Sequence, residues 1–227
     1  MIFAQIVQPV IRPAINMAED WMVFVLLFAL VTIAYTRTNY PLRLARLWNS
    51  VWNVRIMRQA IREEPNTPRA NLLFNISFFL LSSLTIYLLL KYFQIHPLGL
   101  YGITQYILVV SILVMAYSIK VVGLRIVQHL ADGDFGLTEY EYNVFLINRM
   151  IGLALLPLLA ILIYSPIRIA QVLLVVAGVL FGVMVAYRML RGVLNASLSG
   201  VPLFYIFFYI CTLEILPVVV CVKALSN

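Results

Sequence analysis

The chain reads as an all-α, polytopic membrane domain, with six membrane-crossing helices and one basic amphipathic helix lying at the membrane surface. Three observations predict this. Of 227 residues, 63% are apolar and only 11% are charged, whereas soluble domains carry about half apolar and a quarter charged residues. The apolar residues fall into runs of about 20, the length that spans a hydrocarbon core. The charges sit between those runs, and six spans leave only short connections with no room for a separate soluble catalytic domain. Residues 1–227 are therefore read as one membrane domain.

Residues 1–20 lack the basic start and small-residue cleavage site of a secretory signal, and Pro9 and Pro13 interrupt their apolar stretch, so they are expected to be retained. The first span, 21–36, is free of charge. At about 24 Å of helix it reaches across by placing Trp21 at one interface and Arg37 at the other.

An amphipathic helix is expected over 42–62. Leu44, Leu47, Trp48, Val51, Trp52 and Ile56 recur at near-helical spacing, while Arg43, Arg46, Ser50 and Asn53 fall largely opposite; Arg55, Arg58 and Arg62 add further positive charge. Such a stripe suits a helix in the interface, with Trp at headgroup level and Arg toward anionic lipid. The same composition also suits a docking surface for a partner protein. Pro65 and Pro68 end it, because proline cannot continue a helix and restricts the residue before it.

The second span, 71–90, contains no charge and is closed by Lys91. The third covers 101–119, with a helical pattern persisting toward Leu130 and a stop at Asp132-Gly133-Asp134, which lacks the remaining ligand spacing of a calcium loop. Thr138 and Glu141 have the form of a capping box. They open a fourth helix whose span is 144–164, with Arg149 early and Pro157 as an expected kink. Arg149 lies close enough to the end to snorkel to the surface, which points to anchoring or to anionic lipid.

Ser165-Pro166 gives a tight turn into a fifth span, 169–187, so these two helices should be antiparallel neighbours. Gly178, Gly182 and Ala186 recur at four-residue spacing, a small-residue stripe that lets another helix approach, whether from this chain or from another protein. The sixth span, 202–222, carries Glu214 inside the hydrocarbon, with Pro217 three residues on as a second expected kink.

The sidedness follows from the basic residues. Twelve of the 16 Lys and Arg lie at 37–69, 120–149 and 188–191, against four (Arg12, Lys91, Arg168, Lys223) on the opposite side. Basic loops are retained in the cytoplasm, so both termini are expected on the outer side. The net charge of +7 is accounted for by these flanking clusters, and no nucleic-acid partner is expected.

Glu214 is the candidate site, because an ionisable side chain in lipid usually faces a partner, a cavity or an ion path. Three roles fit it: packing as a protonated or hydrogen-bonded group, contact with a partner protein, or proton transfer beside the kink. Enzymatic chemistry finds no support. His96 and His129 fall on opposite sides and cannot share one heme, and no paired histidines suit a zinc protease. No nucleophile elbow, phosphate loop or Ser/His/Asp set can be assembled. Asp132, Asp134, Glu139 and Glu141 read as a solvated turn and helix start. Cys211 and Cys221 stand about 15 Å apart along one helix, too far for a disulfide. No metal or cofactor is expected. The first three spans show no repeat of the last three, which weakens a transporter reading.

Asp20-Trp21, the Arg-rich stretch through Arg55 to Glu64, the segment Asn148 to Pro157, and above all Tyr209-Ile210-Cys211-Thr212-Leu213-Glu214-Ile215-Leu216-Pro217 resemble a family of integral-membrane proteins of Bacteroidota, a domain of unknown function. The resemblance covers nearly the whole chain from Glu19. It implies the inner membrane of a diderm bacterium and service in an envelope assembly linked to protein export or secretion; it implies no activity. Glu214 carries over as the family's C-terminal acid. The resulting expectation is a non-catalytic inner-membrane subunit or scaffold that binds other membrane proteins. The alternatives are a small proton- or ion-coupled transporter using Glu214, and a lipid-handling protein with a cavity between Arg149 and Glu214.

Overall fold

A computed structural model describes residues 19–39, 48–50, 68–95, 97–130 and 137–198. These form five long helices and no strand among the described residues: α1 (Asp20–Asn39), α2 (Pro68–Tyr92), α3 (Ile103–Leu130), α4 (Leu137–Tyr164) and α5 (Ile167–Leu198), with a short 3-10 turn at Pro97–Gly99. Each is long and apolar enough to cross a bilayer. The predicted sixth span, with Glu214, Pro217 and both cysteines, lies outside the described residues. So does most of the predicted interfacial helix, including Arg43, Arg46, Trp52, Arg55, Arg58 and Arg62. Its residues 48–50 are helical, with Trp48 exposed.

Four of the five helices cover their predicted spans, α3 begins two residues inside its span at Ile103, and all five run past at least one predicted end. α3 continues to Leu130 as the pattern requires, and α5 reaches Leu198, a length of about 48 Å that exceeds the hydrocarbon thickness. Helix α4 begins at Leu137, so Thr138 sits inside the first turn rather than ahead of it. Pro157 lies within α4, which continues through it as one helix; membrane helices tolerate proline where neighbours satisfy the freed carbonyl.

The bundle is built around α2 and α4. Over their most apolar stretches 56% of α2 and 61% of α4 is buried, against 28% of α1 and 17% of α3 and of α5. Leu81, Leu84 and Leu88 of α2 meet Ile151, Leu155 and Leu159 of α4 in a core that also takes in Met22, Leu26 and Ala29 of α1 and Leu174 and Ala177 of α5. Lipid is as apolar as these side chains, so close packing rather than a hydrophobic drive holds them.

Gly152 is the residue that permits the α2–α4 contact. A Cβ at this position would stand 3.0 Å from the Phe78 Cα, so the absent side chain lets one backbone rest on the other. The anticipated stripe on α5 is placed differently. Gly178 faces Leu89 of α2 at ordinary contact distance, Gly182 faces open space, and Ala186 is exposed.

The turn Ser165-Pro166 makes α4 and α5 antiparallel, and they form the most extensively packed helix pair. The Pro166 carbonyl accepts the amides of Ile169 and Ala170 at 2.9 and 3.0 Å, closing the first turn of α5. At the end of α2, Gln94 adopts φ 57°. The Ile95 amide donates to Leu90 and the Gln94 amide to Lys91, at 2.9 and 3.2 Å. This is a Schellman stop, with a glutamine in the left-handed position where glycine is usual.

Candidate functional site

The polar side chains that link one helix to another lie toward the two ends of the bundle, while Ser82, Ser83 and Thr85 are buried midway along α2. At one end Glu19, the residue before α1, is shared by three donors. Trp21 Nε1 donates to its Oε2 at 2.6 Å, while Tyr87 Oη and Lys91 Nζ donate to its Oε1 at 2.9 and 2.5 Å. The Trp21 ring leans on Tyr106 of α3 and Tyr87 of α2, with centroids 4.8 and 5.5 Å apart. Tyr106 donates in turn to the Leu80 carbonyl at 3.2 Å. Gly102, at φ 61°, brings the start of α3 beside Glu19 Oε2. One carboxylate thus ties α1 to α2, and an aromatic cluster adds α3.

Burial pushes the Glu19 carboxyl up, but the hydrogen bonds from Lys91, Trp21 and Tyr87 outweigh it, so the group titrates below its ordinary value of 4.5. It is therefore ionised at neutral pH.

At the opposite end the polar groups are arginines and amides, and they lie inside the spans. Arg149 of α4 is 2% exposed, and its Nε donates to Asn75 Oδ1 of α2 at 3.1 Å. The expectation that Arg149 snorkels to the surface is corrected here. It stands seven residues into its span, about 10 Å along the helix, and its guanidinium is buried with Nε turned to Asn75 of α2 rather than extended to the surface.

A second arginine sits on the other flank of α4. Arg188 Nη1 of α5 donates to Tyr117 Oη of α3 at 2.5 Å and to Asn148 Oδ1 at 3.1 Å. Tyr117 Oη donates to the same Asn148 oxygen at 3.2 Å, and the Arg188 guanidinium also lies 5.9 Å from the Tyr117 ring centroid. Arg191 Nη2 donates to the Ser50 carbonyl at 3.0 Å, which fixes the segment after α1 against the end of α5. Nearby, the Thr32 and Ser77 hydroxyls of α1 and α2 are 2.6 Å apart.

Two buried amides in this layer hold polar atoms with no hydrogen-bond partner among the described residues: Asn143, at both side-chain atoms, and Asn148, at Nδ2. Such groups are uncommon in native interiors and mark an incomplete polar site.

Of the residues singled out from the sequence, the structure brings Arg149 into a cross-helix contact and leaves Trp48 on the surface. It adds Glu19, Asn75, Tyr117, Asn148 and Arg188, none of which the sequence marked as a site. The available signal was Asn148-Arg149, two strongly polar neighbours inside an otherwise apolar run. Among the described residues no group of His, Cys, Asp and Glu could hold a metal ion.

No curated protein and no solved structure matches the chain. The family model of a domain of unknown function, DUF4271, matches residues 22–225, and the chain belongs to that family.

Proposed function

We propose that this protein is a non-catalytic subunit or scaffold of a bacterial envelope assembly, possessing six spans and the basic interfacial helix, and sited in the inner membrane with its arginine end in the cytoplasm and both termini outside. The observation that carries the proposal is how the intramembrane polar groups are used. Thr32 with Ser77, Arg149 with Asn75, and Arg188 with Tyr117 and Asn148 each join one helix to another. Side chains that bind helices together make a fixed body. The outward residues Val172, Val175, Val179 and Val183 of α5 are exposed, and with Gly182 and Ala186 they offer a smooth lateral surface for another membrane protein.

On this reading the Arg-rich segment 37–69 holds anionic lipid or a partner at the cytoplasmic face, and Glu214 is a further contact. The link to protein export or secretion rests on the family resemblance alone.

The test is purification from native membranes at native expression level in a mild detergent. A partner recovered at fixed stoichiometry, and lost when Val179→Trp roughens the α5 surface, is the expected result. A stable lone monomer that moves an ion after reconstitution, with flux abolished by Glu214→Gln, replaces this reading with a proton- or ion-coupled carrier.

A further inference from the structure

We infer that the gap between α3 and α5 at the arginine end is a binding site for one anionic phospholipid, whose phosphate is held by Arg188 and Asn148. Three independent features meet there.

The first is hydrogen bonding. Asn148 is 1% exposed, and its Oδ1 accepts from both Arg188 and Tyr117. Those two donors fix the amide orientation, since a flipped Asn148 would turn its N–H groups toward donors. Its Nδ2 is thereby left with two N–H bonds and no acceptor among the described residues. A buried amide in that state calls for an acceptor, and the adjacent guanidinium favours one that is negatively charged.

The second is depth. Arg188 lies three residues from the end of its span, and Asn148 and Tyr117 each lie six residues from the ends of theirs. By the helical rise these are about 5 and 9 Å inside. Arg188 is thus within snorkelling reach of the headgroup level, and Asn148 lies below it in the outer hydrocarbon, so a phosphate that meets both is drawn inward toward the guanidinium.

The third is access. Among the described residues α3 and α5 do not pack along their length; Tyr117 and Arg188 bridge them at this end. Above that bridge α2 forms the floor, with Leu89 against Gly178. The result is an apolar slot beside a cationic end, which matches acyl chain and phosphate in the same order. A nucleotide or soluble metabolite has no part to place in the slot.

The full-length protein in mild detergent is titrated with phosphatidylglycerol, phosphatidylcholine and inorganic phosphate, and bound species are counted by native mass spectrometry. Phosphatidylglycerol should bind about tenfold more tightly than phosphatidylcholine, the effect of one charge-assisted contact. Arg188→Gln should remove that preference, Arg188→Lys should keep most of it, and Arg168→Gln at the opposite end should leave it unchanged.

Equal binding of the two lipids, or a preference that survives Arg188→Gln, overturns the proposal. Saturation by inorganic phosphate that displaces the lipid makes this a free-anion site and also overturns it. Should Arg188→Gln fail to fold, the lipids that wild-type protein carries out of its native membrane decide the matter: anionic enrichment over the bulk composition supports the site, and bulk composition refutes it.

Discussion

The two ends of this bundle solve the same problem with different chemistry. At the Glu19 end one carboxylate at the membrane edge receives three donors, and a ring cluster packs beside it. At the arginine end the charges lie deeper, reach amides and a phenol among the described residues, and leave buried amide donors over. The first arrangement is closed and serves to fasten helices. The second fastens helices and retains capacity for a further acceptor, which is what separates a binding region from a clasp.

The contrast breaks most readily at the α2–α4 contact on which the arginine end depends. Gly152→Ala places a methyl group against the Phe78 backbone, which cannot move aside as a side-chain tip can. Thermal or denaturant unfolding in detergent should show a loss of about 1–3 kcal/mol. Gly182→Ala, which meets open space, should change nothing. Equal effects would mean that α2 and α4 are not in backbone contact.

Glu19→Gln tests the other end. It keeps the shape but removes the charge that Lys91 approaches. Because the pair is partly solvated, the loss should be about 1 kcal/mol. The pH dependence is the sharper readout. A carboxyl whose folded value lies below its ordinary 4.5 contributes full stability above that value and loses it as pH falls through the folded value. Wild type should therefore lose this increment between about pH 5 and the lowered folded value, and Glu19→Gln should show no corresponding step.

What was legible in the sequence follows from this physics. Apolar runs of span length must be helices in lipid, so the five described spans, the turn at Ser165-Pro166 and the persistence of α3 could all be read from residue pattern. Side-chain partners could not. Glu19 was not singled out, because nothing in linear order announces that Tyr87 and Lys91, 68 and 72 residues away, arrive beside it. Arg149 looked like an anchor because its distance from the helix end allowed snorkelling, and only the fold turns its Nε to Asn75 of α2. The small-residue rule named Gly178, Gly182 and Ala186 by their spacing, yet of the described glycines the one set against another helix's backbone is Gly152, a single glycine with no spaced partner.

Trp21→Phe sharpens the Glu19 end by separating its two parts. The phenyl ring can still lean on Tyr87 and Tyr106, but the bond from Nε1 to Glu19 is lost. A destabilisation of about 0.5–1.5 kcal/mol is expected, the net worth of one hydrogen bond. In Glu19→Gln the same substitution should cost less, because the acceptor is then neutral; full additivity in that double-mutant cycle would show that the indole and the carboxylate do not interact.

The smallest effect is expected just beyond the Glu19 end, where α2 stops and the chain turns toward α3. Gln94 holds a left-handed φ of 57° that a side chain disfavours, while its amide and that of Ile95 satisfy the last carbonyls of α2. Glycine adopts this conformation without steric cost, and the position lies outside the spans, so Gln94→Gly should stabilise the fold by a few tenths to about 1 kcal/mol. Gln94→Val should have the opposite sign and a larger size, because a β-branched residue is the least suited to a positive φ. The pair isolates backbone strain from polarity: if glycine and valine shift the unfolding midpoint in the same direction, the turn is held by the Gln94 side chain and the Schellman geometry is not what ends the helix.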